Sequence, residues 1–187
     1  MSERLSRLRR PWLADDSGLA AIEFALLAPV LATLLLGLLQ IGLVAEAQRR
    51  AEMAAYVLGD ALSRTPQISG ATISNLALAV QGTLDRPAGG TADGAAAMIV
   101  QFDAASRVAS TSRLIPIYGS DAAATLQEAA MRSAAPNEVV VAARVVVRVS
   151  SIVGSFLPPV TVQGTVVTAI RSGFMPTITA TSTGVTT

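Results

Sequence analysis

Histidine, cysteine and lysine are all missing from this 187-residue chain, whose fourteen basic residues are arginines. Without them there is no thiolate or imidazole metal site, no Cys or His nucleophile or base, no lysine Schiff base and no phosphate-loop lysine. No disulfide can staple the fold. Charge is also nearly absent as a net quantity: fourteen basic against thirteen acidic residues leave +1, which gives no electrostatic case for a nucleic-acid partner. Aromatic residues are only 4% of a chain that is 51% hydrophobic, so the core must be built from Ala, Val and Leu. Small side chains suit close helix packing better than a ligand pocket, so neither a cofactor nor a small-molecule substrate is expected. G-x-S-x-G and S-x-x-K are absent as well, and the chain reads as a non-enzyme.

Against these absences stands one long apolar run, Phe24 to Val44, of 21 residues. That is about the length an α-helix needs to cross a hydrocarbon core of roughly 30 Å. Pro29 lies within it, a position that lipid-embedded helices tolerate. Arg4, Arg7, Arg9 and Arg10 precede the run and only Arg49 and Arg50 follow closely, so the arginine asymmetry keeps the N terminus in the cytoplasm and puts the bulk of the chain outside. Ala45 and Ala47 make an A-x-A pattern, but the run is longer than a signal-peptide core and the helical pattern continues past it. A spanning anchor is the better reading.

At the head of the run, "SGLAAIEFALLAP" carries a single acid, Glu23, where a charge is costly and marks a functional position with a partner. Gly18 precedes Leu19, and Glu23 is the fifth residue counted from Leu19. A cut between Gly18 and Leu19 creates an α-amino cation, and that cation and the carboxylate are far less costly in an apolar environment together than apart. The amine of a neighbouring subunit can serve Glu23, so the spacing encodes registry between helices. Ala21, Ala25, Ala28 and Ala32 recur at four-, three- and four-residue steps and form a face on which helices can approach closely.

The basic leader, Gly18, Leu19 and Glu23, followed by an uninterrupted apolar span, resemble the processing site of type IV prepilin-like proteins. The leader's style, "DDSGLAAIEFALLAPVL", and the later pair of strands are similar to the TadE/TadF-type minor pseudopilins of tight-adherence (Flp) pilus systems. The resemblance implies cleavage after Gly18 by a prepilin peptidase, an inner-membrane location with the C terminus periplasmic, and partnership with Flp-type pilin, other pseudopilins, membrane lipid and an inner-membrane assembly platform. Major pilins of that system are much shorter. Its larger von Willebrand-type relatives carry a D-x-S-x-S metal site that this chain lacks. Type II secretion pseudopilins more often begin their mature chain with Phe, where Leu19 stands here.

Beyond Val44 the helical pattern runs on, with Ala47, Ala51, Ala54, Leu58, Ala61 and Leu62 in one stripe, and predicts one helix from about Asp16 to Arg64. "TPQISG" breaks it. Ile73, Leu76, Val80 and Leu84 fit a second helix over 72–84, and Ser120 or Asp121 caps a third that runs to Ala134. "DRPAGGTADGAAA" reads as a flexible loop, and "MIVQFDAASRVASTSRLIPIYG" as two short strands about a turn at 103–107. "NEVVVAARVVVRVS" is the clearest strand, with Val139, Val141, Ala143, Val145, Val147 and Val149 on an apolar face and Glu138, Arg144, Arg148 and Ser150 on a solvated one. "VTVQGTVVTAIRS" is its partner. Asp93 and Asp103 read as turn residues. The expected organisation is α+β: a leader (1–18), a transmembrane helix (19–44), its extension (45–64), a domain with two further helices and about four antiparallel strands (65–173), and a loose polar tail (174–187).

Overall fold

The computed structural model describes residues 17–84, 90–103, 109–119, 126–135, 137–152, 158–171 and 175–179. Its first element, α1 (Ser17–Arg64), is one 48-residue helix that runs through Pro29. It contributes to two units, its residues up to Ile41 forming one and the chain from Gly42 the other. In the first unit the large apolar side chains from Leu19 to Ile41 are largely exposed. The most apolar 18-residue stretch of α1 has a mean hydropathy of 2.3, and none of it is buried within the chain. This pattern fits a single-pass membrane anchor, since a lipid environment accommodates apolar side chains that the described residues leave uncovered.

In the second unit the outer part of α1 is amphipathic, as the three- and four-residue steps predict. Ala47, Ala51, Ala54, Ala55, Leu58 and Leu62 are buried and Ala61 is partly so. The helix stops where Pro66 disfavours helical geometry in the residue before it. Thr65 bonds back to the last turn through both its amide and its hydroxyl, to Leu62 O and Ala61 O. After β1 (Gln67–Ile68) comes α2 (Gly70–Leu84), capped by Ser69, whose Oγ accepts the amide of Thr72 at 3.3 Å.

The remaining elements are β2 (Gly90–Phe102), β3 (Ala109–Tyr118), α3 (Leu126–Ser133), β4 (Val139–Val149), β5 (Val160–Ala169) and β6 (Thr177–Ile178). Four of the strands form an antiparallel sheet in the order β3-β2-β4-β5. The α+β class, with three helices and a four-stranded antiparallel sheet among the described residues, is therefore as expected. On one face, α1 and α2 pack against Ala95, Ala97, Ile99, Ile115, Val141, Ala143, Val145, Val147, Val149 and Val162. On the other, Leu126 and Ala130 of α3 cover Ala96, Val100, Val140, Ala142 and Val146. The domain is three layers, helices and sheet and helix, because the small residues of β4 leave room for cover on both sides.

Several expectations need correction. The loop predicted over 85–97 is strand from Gly90 onward; the alanines there pair with β4, which a glycine-rich composition concealed. Asp93 is not in a turn but at a register shift within β2, where it pairs with Arg148 at 3.5 Å. The second face of β4 is not simply solvated: between its arginines it is a small core under α3, and Arg144 is itself half-buried and donates to the Gln163 side chain. The tail expected to be loose is paired at Thr177–Ile178, where β6 runs parallel to β1 and the backbone N–H groups of Thr177 and Thr179 donate hydrogen bonds to Pro66 O and Ile68 O. The turn at 104–107 and the cap at 120–121 lie outside the described residues.

Candidate functional site

Gly18, Leu19 and Glu23 all lie in the first two turns of α1. Four residues at 1.5 Å put Glu23 about 6 Å along the axis from Leu19, and 3.6 residues per turn put both on one side of the helix. Leu19 is 61% exposed and Glu23 is exposed too; among the described residues Glu23 has no ion-pair partner. A Cβ added at Gly18 would meet nothing within 4 Å. The described residues therefore place no demand for glycine at that position.

Ala21, Ala25 and Ala32 are exposed and Ala28 is half-exposed. At 100° per residue they share one stripe, and it lies about half a turn round the helix from Glu23. The structure thus brings Leu19 and Glu23 together and keeps the alanine stripe apart from them. Two surfaces of the same helix are available to two different neighbours.

Sequence reading did not foresee how α1 is seated on the sheet. A Cβ built on Gly164 would lie 2.2 Å from the carbonyl oxygen of Ala51, and one on Gly59 would lie 2.8 Å from Cγ1 of Val166. The helix backbone therefore rests directly on β5 at Gly164. A lone glycine within the β-branched run "VTVQGTVVTA" is the sign of such a close approach. Beyond this seat, Asp60 holds Arg64 at 3.0 Å, with Arg171 at 4.0 Å.

One apolar helix that is bare of protein at its start and walls a three-layer α+β core at its end defines a class: single-pass membrane proteins whose anchor is also part of the folded domain. Within that class, residues 18–58 match the family model described as TadE-like protein. The match bears out the resemblance to TadE-like proteins drawn from the N-terminal segment. It begins at Gly18 and ends at Leu58, so it lies within α1 and takes in none of the sheet. No curated protein and no solved structure matches the chain.

Proposed function

We propose that the protein is a minor pseudopilin of a tight-adherence (Flp) pilus: a structural subunit and not an enzyme, anchored in the inner membrane with its C-terminal domain in the periplasm. A prepilin peptidase cuts after Gly18, and the new amine of Leu19 on one subunit pairs with Glu23 on its neighbour, pilin or fellow pseudopilin. The observation that carries this reading is the TadE-like match within α1, with an exposed Glu23, unpaired among the described residues, at the fifth position after the cut. The logic is electrostatic. An acid and an amine in lipid are each costly alone, and forming the pair drives association and sets its register. The alanine stripe on the opposite side offers close packing to a second helix.

Two measurements test it. Mass spectrometry of the protein purified from membranes should show Leu19 at the N terminus, and Gly18→Val should leave the precursor uncut. An N terminus at Gln48 would instead establish signal-peptide cleavage and sink the proposal. Glu23→Gln keeps shape and removes charge, so the variant should be inserted and cut but should lose its crosslinks to pilus partners. Unchanged crosslinks and normal piliation would refute the ion pair.

A further inference from the structure

Arg49 is an exposed cation without a partner among the described residues, and its surroundings explain why. The acids within helical reach are engaged elsewhere: Glu46 accepts from Arg50 at 2.8 Å, and Glu52 accepts from Gln48 at 2.7 Å. Gln48 also donates to the backbone oxygen of Gln163 at 3.1 Å, so the Gln48–Glu52 pair is drawn toward β5. The last turn of α2 comes alongside, and Glu46, Arg49, Arg50, Met53, Gly82 and Thr83 line a cleft of about 500 Å³. Thr83 spends its hydroxyl on Ala79 O, which leaves Arg49 as the cleft's uncommitted donor.

Depth decides what Arg49 meets. It stands five residues beyond Val44, about 7 to 8 Å along the axis, which is about the thickness of one headgroup layer. Helical side chains lean toward the N terminus, so its guanidinium reaches back toward the bilayer. We infer that this cleft seats the phosphate of an anionic phospholipid headgroup, with Arg49 as its ligand, Arg50 neutralising Glu46 beside it, and Met53 as an apolar wall. The inference rests on the membrane-anchor reading of α1.

The test uses the full chain in vesicles of phosphatidylcholine alone and of phosphatidylcholine mixed with phosphatidylglycerol, reading the lipid retained on the purified protein by native mass spectrometry. Wild type should enrich phosphatidylglycerol, and Arg49→Gln should lose about fivefold of that enrichment, the size of one basic residue's attraction to an anionic surface. Arg132→Gln, at an exposed arginine of α3, should keep it. Inorganic phosphate should not displace the lipid. Equal enrichment in wild type and Arg49→Gln, an equal loss in Arg132→Gln, or displacement by inorganic phosphate would each overturn the site while leaving the anchor intact. Release of the wild-type chain from vesicles by alkaline carbonate would overturn the anchor reading, and the site with it.

Discussion

The two stretches of α1 are built from nearly the same residues and meet opposite fates. Ala21, Ala25 and Ala32 stand exposed among exposed leucines, whereas Ala47, Ala51, Ala54 and Ala55 are between 0 and 2% exposed. Both sets recur at three- and four-residue steps. Periodicity therefore marks a face without saying what covers it: none of the described residues for the first set, the protein's own sheet for the second. Charge separates them. From Phe24 to Ala45 there is no acid or base, whereas the stretch from Glu46 to Asp60 carries five: Glu46, Arg49, Arg50, Glu52 and Asp60.

The largest effect expected comes from charging the covered face. Val145 is fully buried between α1 and the middle of the sheet. Val145→Asp should cost about 4 kcal/mol or more, by leaving a carboxylate in an apolar core. Chemical denaturation of the full chain in detergent, followed by circular dichroism, should find the domain unfolded or close to it. A wild-type midpoint would mean that this face is not the core.

Gly164→Ala tests the seat itself. Its methyl would meet the Ala51 carbonyl, which is backbone and cannot rotate away, so α1 must lift from β5 at a cost of about 3 kcal/mol. A denaturation midpoint within error of wild type would show that the helix does not rest there.

Alkali probes the covered part in a different way. Tyr118 is half-buried, its hydroxyl has no hydrogen-bond partner among the described residues, and burial pushes its pKa from 10.0 up to about 12. The fold therefore favours the protonated phenol. Its contribution is fully present below pH 10 and is lost as pH rises through about 12, a decline of about 2 kcal/mol. Tyr118→Phe should flatten that decline and leave neutral-pH stability unchanged or slightly higher, since it removes an unsatisfied hydroxyl. An equally steep alkaline loss in the variant would assign it to another group.

The smallest expected effect is also the closest match between the two stretches. Gly37→Ala and Gly59→Ala make one change in one helix. At Gly37 the added methyl meets nothing within 4 Å; at Gly59 it comes to 2.8 Å from Cγ1 of Val166, a side chain that can shift. The domain's unfolding transition should stay put for Gly37→Ala and fall by about 1 kcal/mol for Gly59→Ala, once the helix propensity of alanine offsets part of the crowding. Equal shifts at the two positions would erase the contrast between bare and covered helix.

Much of the architecture was legible in the chain itself. The length of the apolar run, the breaker at Pro66 and the uninterrupted small-residue periodicity predict one helix over nearly the span observed, because helix formation depends on local contacts three and four residues apart. Alternation in "NEVVVAARVVVRV" predicts β4 for the same local reason, and the spacing of Gly18, Leu19 and Glu23 marks the candidate site. What the chain could not reveal was anything set by residues distant in sequence. Ala95 to Ala97 are strand because β4 lies beside them; Arg144 is half-buried where it donates to Gln163 of the neighbouring strand β5; Thr177 and Ile178 are paired because Ile68 offers them a strand edge. Gly164 is needed because Ala51, more than a hundred residues earlier, presses its backbone there. Local spacing decided which elements form and where the lone acid falls. Only tertiary packing decided which of two equally alanine-rich faces is core, since burial belongs to pairs of surfaces and a single segment supplies just one of them.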